Sequence, residues 1–480
     1  MIPAGRLEDA LGAAPALRAA RGALGERDDV WIVGGAIRDA LLGRDVTDVD
    51  LAVEADAEEV ARAVARCSDA HPFELSEDFA TWRVQAREEP WHVDIASLRG
   101  DSIAADLSAR DFTLNAIALP LAGGEPIDPH GGGADIEARV LRVVGPRSFA
   151  DDPLRVLRAA RIASALHLRL DSGTVELARD EADRAAEPAG ERQLAELLGI
   201  VAGPDPVRGV GLMDELGATR VVLPELDALR GVEQNPYHHL DVLGHTMEVL
   251  ERTVELEADP AAVLGERAGE VEALLAEPLA DDLNRAGALR LAALFHDLGK
   301  PETRSVAENG RVLFIGHDEA GTRIIRGICS RLRASRRLAT YLESLTLNHL
   351  RLGFLVHERP LSRRRVYEYL KATEPDTVDV TLLTVADRLA TQGPRTRSEA
   401  IEAHLDLARE MIAEGLAWRR AGPPAPPIRG DELAVELGIE PGPPLGRVLA
   451  EIEAAQFAGE VDSRDDAVAL ARRLLSGAGT

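Results

Sequence analysis

Asp48 and Asp50 stand two residues apart in WIVGGAIRDALLGRDVTDVDLAV (31–53), a stretch that also carries Gly34, Gly35 and Arg38. On a strand, side chains at i and i+2 project from one face, so two carboxylates at this spacing can share divalent cations. Their hard oxygen atoms suit Mg²⁺. Glycines in the preceding turn let backbone N–H groups approach a phosphate, and Arg38 adds positive charge beside it. That combination suits phosphoryl or nucleotidyl transfer, in which paired metal ions steady the attacking and leaving oxygens. A glycine pair alone, or a D-x-D alone, reads as an ordinary turn or a solvated acidic edge. Together in one strand–turn–helix–strand unit they favour a metal site. Asp94, in the strand-like WHVDIA, is either a third carboxylate from a neighbouring strand or a turn former at a strand end.

Two later segments supply charge of the kind a nucleotide needs. In ARDFTLNAIAL, Arg110 precedes an apolar helix or strand, and Asp111 with Thr113 and Asn115 suits a capped turn. Arg110 could instead meet a triphosphate or ribose if it folds against the acidic strand. Further on, Asp151-Asp152-Pro153 is expected to open a helix, because proline is tolerated in a first turn. Arg155 and Arg158 then share a face at i, i+3, with Arg161 drifting round it. An Asp acceptor beside an Arg donor can read a base edge without a template. Cytosine and adenine present an amino donor beside a ring-nitrogen acceptor, whereas guanine and uracil present the reverse. An Asp152–Arg155 pair would accept C and A, and the plain alternative is an N-capped helix with solvated arginines.

A second constellation lies in the later half. His296-Asp297 sits on an apolar helix, LAALFHDLGK, with His245 upstream in YHHLDVLGHTMEVL and Asp387 downstream in LLTVADRLATQG. Imidazole and carboxylate ligands of this kind suit a divalent transition metal or Mg²⁺. Four such residues embedded in apolar helices would be costly to bury without one. The pattern resembles an HD-type phosphohydrolase domain. The resemblance implies that His245, His296, Asp297 and Asp387 are metal ligands, with His317 and His349 as candidates for substrate contact or a second metal. A metal-activated water there could hydrolyse phosphoesters such as 2′,3′-cyclic phosphates at RNA ends.

The elements that must position these residues change along the chain. The chain has 480 residues, room for three or four domains with real cores. Short strands rich in Val, Ile and Leu alternate with helices up to about residue 145, and from about 150 the pattern is helical to the end. DPHGGGADIEARVLRVV reads as a glycine-rich turn between strands that closes the first domain. The linker AGPPAPPIRG precedes a tail of short helices. An α+β multidomain chain is expected: an α/β head (1–145), a helical neck that reads the base (146–225), a helical metal-binding body (226–405), and a linker with a tail (406–480). No apolar run reaches membrane-spanning length, no secretory pattern opens the chain, and only Cys67 and Cys329 occur, all of which fits a reducing cytoplasm. A net charge of −27 argues against casual nucleic-acid binding. Between Arg323 and Arg365, however, eleven arginines face two acids. This local excess either binds a polyanion or is paired with acids elsewhere.

In order and spacing, GGAIRD…TDVDLAV, ARDFTLNA, DPHGGGADI and DDPLRVLRAARIA resemble the bacterial class of tRNA nucleotidyltransferases and poly(A) polymerases. With the HD-like module, the resemblance covers most of the chain. It implies a polymerase-beta-like head that adds C and A, in some members only part of CCA or A tails, to RNA 3′ ends without a template. It also implies Mg²⁺ on Asp48 and Asp50, Gly35 and Arg38 on the nucleotide phosphates, and Arg110 on the incoming nucleotide. Asp152, Arg155, Arg158 and Arg161 would line the nucleotide pocket. The expected partners are tRNA, CTP and ATP, the tail contacting the tRNA body, with no membrane. Two departures stand out: Ala109 replaces the first arginine of a pair before DFT, and Asp151 replaces the glutamate of a Glu-Asp pair. The alternatives are a poly(A) polymerase or a partial, CC- or A-adding, enzyme on the same scaffold and, from a different class, hydrolysis of RNA ends by the HD-like body.

Overall fold

A computed structural model describes residues 4–25, 27–76 and 80–477. The chain divides into two compact units, Met1–Val222 and Leu223–Thr480.

The first unit is built on a six-stranded sheet in the order β3-β4-β5-β2-β1-β6. Its strands are β1 (Val30–Val33), β2 (Val49–Val53), β3 (Ala70–Ser76), β4 (Thr81–Ala86), β5 (His92–Ser97) and β6 (Ala118–Pro120). Only β2 and β5 pair in parallel; the other pairs are antiparallel. Alternation along the strands separates two faces. Ile32, Leu51, Ile95 and Val84 are buried on one face. Helices α1 (Ala4–Gly12) and α2 (Pro15–Leu24) precede the sheet, α3 (Gly35–Leu41) follows β1 and α4 (Ala57–Cys67) follows β2, and α4 packs on β3, β4 and β5. Asp56 fixes the start of α4 by accepting the N–H groups of Glu58 and Glu59. On the opposite face, Trp31, Val33 and Ala52 are covered by Leu107 of α5 (Ile103–Ser108) together with Ala116 and Ala118. That cover ends at Asp50, beyond which the face carries Asp94 and Arg83.

Helices α6 (Gly132–Glu137), α7 (Ser148–Asp151), α8 (Arg155–Ala165), α9 (Ser172–Glu181), α10 (Gly190–Val201) and α11 (Pro206–Glu215) complete the first unit, with α8 packed on α10 and α11. Two local expectations are corrected. DPHGGG is a helix start, because the Asp128 carboxylate accepts the N–H groups of Gly132 and Gly133. DDPLR is not one helix: α7 stops at Asp151 and Asp152 is extended (φ −146°, ψ 98°) before α8 begins at Arg155. Pro153 forces this break by excluding its predecessor from helical dihedrals.

The second unit is helical. Its main helices span Val242–Ala258, Arg285–Phe295, His317–Leu332, Arg336–Asn348, Arg363–Thr373, Thr377–Ala390 and Ser398–Ala421. The last three helices, Gly430–Leu437, Pro443–Phe457 and Arg464–Gly477, enclose a core of their own around Leu433, Val448, Ile452 and Ala471. The α+β organisation expected from the sequence holds, although the later chain is not wholly helical. Arg169–Leu170 pairs in parallel with Val140–Leu141, and in the second unit two short ribbons interrupt it, Pro278–Ala280 with Leu283–Asn284 and Ser305–Val306 with Val312–Leu313. The first turns on Asp281 and Asp282, both at positive φ, as a tight hairpin requires. Among the described residues, no helix is long and apolar enough to cross a membrane.

Candidate active sites

Parallel pairing of β2 with β5 sets Asp50 directly beside Asp94. Asp48 lies just before β2. Its carboxylate accepts the His92 backbone N–H at 3.1 Å and lies 2.9 Å from His92 Nδ1. Arg83 grips Asp94 with two hydrogen bonds of 2.7 Å each. Asp50 reaches solvent, yet the protein atoms crowding its carboxylate raise its pKa. The charge on Asp94 pushes the same way, against the pull of Arg110. Two acids side by side, with burial and its neighbour pushing Asp50 toward the neutral form, are a donor set that a divalent cation satisfies.

Gly34 makes this closeness attainable. It adopts φ +73°, and a Cβ there would stand 2.9 Å from Asp50 Oδ2 and 3.3 Å from Arg110 Nη1. Arg38 is half-buried, donating to Asn115 Oδ1 at 2.9 Å and to its neighbour Asp39. Arg110 donates to Asp106 Oδ2 at 2.9 Å.

A cavity of about 1090 Å³ in the first unit is lined by Gly34, Gly35, Arg38, Asp50, Asp94, Arg110, Asp152, Arg155, Arg158 and Arg161. The structure thus brings together every head and neck residue picked from the sequence except Asp48, which stands beside the group through His92. The expected Asp152–Arg155 partnership is corrected. Arg155 donates to the carbonyl oxygens of Ala109, Arg110 and Ser148 and to Ser148 Oγ. Asp152 pairs instead with Arg192 of α10 at 2.9 Å. The break at Pro153 separates Asp152 from α8 and turns Arg155 back onto the ARD segment. Arg158 lies 3.4 Å from Asp111, and Arg161 donates to Glu196 at 2.6 Å. Burial pushes the Asp111 pKa up, but Arg158, Asn115 and the Phe112 N–H outweigh it and hold the group ionised. Sequence reasoning missed Arg83, His92, Arg192 and Glu196, whose partners lie 11 to 44 residues away in the chain.

In the second unit, Asp297 is the hub of a buried cluster. Its Oδ2 lies 3.2 Å from His296 Nε2 and 3.8 Å from His245 Nε2, and His245 Nε2 also lies 3.0 Å from Asp387 Oδ1. Its Oδ1 faces His317 Nε2 at 3.4 Å and His349 Nε2 at 3.9 Å. Two ligand trios result, one of His245, His296 and Asp297 and one of Asp297, His317 and His349. His296, His317 and His349 each turn Nδ1 to a backbone carbonyl, of Ala293, Phe314 and Thr346, at 2.6–2.8 Å. An Nδ1–H donated to a carbonyl leaves an Nε2 lone pair facing inward, the form in which imidazole binds a metal.

His296 Nε2 is buried without a hydrogen-bond partner. Lys300 Nζ sits 2.6 Å from Asp297 Oδ2, an ion pair without hydrogen-bond alignment. The basic group His296, with Lys300, drives the Asp297 pKa well down against the effect of burial. Burial and the two nearby histidines lower His349 to about 4, so it is neutral at pH 7. Gly299 lets the helices meet, since a Cβ there would lie 2.1 Å from the His317 carbonyl oxygen. A cavity of about 1370 Å³ opens onto this cluster, with Arg388, Arg395 and Arg397 and the rings of Tyr237, Phe314 and Phe354 on its walls.

The arginine-rich stretch is largely self-neutralised. Arg331 pairs with Glu225, Arg364 with Glu460, and Arg365 with Glu358, each at 2.7 Å. Arg326, Arg359 and Arg363 pair with Glu343, Glu410 and Glu414.

Residues 30–142 match the poly A polymerase head domain, 167–230 the probable RNA and SrmB-binding site of polymerase A, and 242–392 the HD domain. Both the head and the HD module imply dependence on a divalent metal. Two solved structures share the fold. The Thermotoga maritima CCA-adding enzyme complexed with tRNA has a TM-score of 0.60 at 21% identity over 98% of both chains. A CCA-adding enzyme in complex with CTP has a TM-score of 0.63 at 22% identity over 99% of both. The A-adding tRNA nucleotidyltransferase of Deinococcus radiodurans is 34% identical over 456 residues, spanning 92% of this chain and 94% of its own. The CC-adding enzyme of Thermus thermophilus is 32% identical over 445 residues, 92% of each. With identity sustained along nearly the whole length of both relatives, the chain belongs to the tRNA nucleotidyltransferase and poly(A) polymerase family.

Proposed function

We propose that the chain adds cytidine and adenosine, from CTP and ATP, to the 3′ ends of tRNA without a template. The observation that carries this reading is Asp50 beside Asp94 in the lining of an arginine-rich cavity that also holds Asp152. Asp48 and Asp50, with Asp94 next to them, would hold Mg²⁺. Such ions, when bound, make a hydroxyl easier to deprotonate and offset the charge of a triphosphate. The Gly34-Gly35 turn admits the phosphates, and Arg38 and Arg110 supply positive charge beside them. The RNA 3′ hydroxyl gives up its proton to solvent, its oxygen bonds to the α-phosphorus as the bond to the bridging oxygen breaks, and pyrophosphate leaves.

Asp152 is the acceptor for the base amino group, and its 2.9 Å pairing with Arg192 fixes its aim. Arg155 joins as donor only on leaving the carbonyls of Ala109 and Arg110, so base reading is tied to movement of the ARD segment. Separate CTP, ATP, GTP and UTP assays on tRNA transcripts lacking CCA test this reading. Incorporation of GTP or UTP as readily as CTP contradicts it.

A narrower product has one observation in its favour: the two relatives described above, which span nine-tenths of the chain, add only A or only CC by name. Base order on one transcript separates these products.

The HD cluster supports a second activity, hydrolysis of phosphoesters at RNA ends. His245, His296, Asp297 and Asp387 fit one divalent ion, and Asp297 Oδ1 with His317 and His349 fits a second. Metal analysis of the purified protein should give two ions per chain at this cluster, and His317→Ala should remove one. Retention of both ions by His317→Ala would refute the second position.

A further inference from the structure

Strand register extends the open face of the head sheet past the acids. Asp50 is opposite Asp94, Asp94 opposite Arg83, and Arg83 opposite Phe73 of the edge strand β3. A second row runs alongside: Asp48 against His92, His92 opposite Gln85, and Gln85 opposite His71. Residues directly opposite in a sheet project from the same face, so the His71 and Phe73 rings share a face with the transferase acids. The two rings are stacked, with centroids 5.2 Å apart and planes 27° from parallel. Phe73 is 37% exposed, and His71 is exposed as well. Helix α4 covers the other face, so nothing on its account requires a bare ring here.

An edge strand is normally kept free of exposed aromatic side chains, because it invites association. This one carries a stacked pair at the end of the rows that hold the catalytic candidates. At about 4.8 Å per strand, three strand steps put the rings about 14 Å from Asp50. With stacked nucleotides rising about 3.4 Å each, that is the reach of a base a few positions before the reacting sugar. Gln85, His92 and Arg83, the last ion-paired with Asp94, lie between, a polar floor for a sugar–phosphate backbone. Single-stranded nucleic acids are commonly held by bases stacked on such rings, with little sequence preference.

We propose that the His71–Phe73 ring pair is the stacking platform for an unpaired base of the acceptor RNA, just upstream of its 3′ hydroxyl. The proposal rests on the transferase reading above. The test is the kinetics of CMP and AMP addition to a tRNA transcript by the full chain, comparing wild type, Phe73→Ala and Phe73→Trp. Phe73→Ala should raise KM for RNA roughly 5- to 100-fold, the range expected from loss of one stacked base. The effect should fall on neither kcat nor KM for CTP, and Phe73→Trp should restore KM for RNA. Melting of the variants by circular dichroism separates lost stacking from lost fold. An unchanged KM for RNA in a folded Phe73→Ala variant, or an equal rise in KM for CTP, overturns the platform while leaving the transferase reading intact. A wild-type protein that adds no nucleotide at all overturns both.

Discussion

At Gly34 a single missing atom sets the distance between the acids and the phosphate turn. A Cβ there meets Asp50 Oδ2 at 2.9 Å, and φ +73° strains any other residue. Gly34→Ala should keep the fold and lower the rate of CMP addition by about 100-fold or more, the usual result of displacing a reacting group by an ångström. Single-turnover assays check this, with circular dichroism reporting the fold. Asp48→Asn should abolish addition with melting unchanged, since that carboxylate sits at the surface and its partner His92 is held within β5.

Strand and helix periodicity singled out Gly34, Gly35, Asp50 and the neck arginines, which line one cavity, whereas Asp48 lies just before β2 instead of on it and outside that lining. Pairings set by tertiary packing were not legible in the sequence. Asp152 with Arg192 and Arg155 on the Ala109 carbonyl join residues 40 and 46 apart, and no spacing rule reaches that far. Pro153 does carry a signal, because the restriction it places on Asp152 outweighs its own tolerance in a first helical turn.

Among the elements, Thr377–Ala390 shows how the second unit handles buried charge. Arg285 donates to Asp379 at 2.8 Å and to Asp376 at 3.1 Å, and Tyr341 donates to Asp379 at 2.9 Å, all of them buried. Asp379→Ala leaves Arg285 with Asp376 as its remaining buried partner and the Tyr341 hydroxyl without its acceptor, so it should cost about 1–3 kcal/mol in unfolding experiments. Asp379→Asn, which keeps the shape, should cost less.

The helix Ser398–Ala421 carries His404, whose pKa burial and the nearby Arg388 lower to about 4. The unfolded chain binds that proton near pH 6.5, so between 4 and 6.5 it holds more protons than the folded chain. The stabilisation is therefore complete above 6.5 and is lost as pH falls toward 4. His404→Leu should flatten the dependence of stability on pH in that window by up to about 1.4 kcal/mol per pH unit. Denaturation at several pH values checks the slope, and an unchanged slope counts against the assignment. The broad division of elements was readable from hydrophobic period. The two short ribbons escaped because segments of two or three residues leave no period to detect.

For the whole molecule, the acidic surplus and the pairing of Arg326, Arg331, Arg359, Arg363, Arg364 and Arg365 with glutamates argue against a broad cationic face. Sequence alone left that question open, because the acids that answer it lie from 7 to 106 residues away. RNA affinity should accordingly depend on specific contacts, and it should weaken less steeply with salt than for a basic RNA-binding protein. The two candidate sites occupy different compact units. Their chemistries should separate cleanly: His296→Ala should end phosphoester hydrolysis and spare nucleotide addition.

The most direct measurement offers a tRNA transcript lacking CCA to wild type and to Asp50→Asn, with each of the four nucleoside triphosphates and Mg²⁺, and reads product length and base order. A transferase centre on Asp50 requires wild type to incorporate C or A and reject G and U, with Asp50→Asn folded and inactive. Addition by Asp50→Asn at the wild-type rate would contradict it.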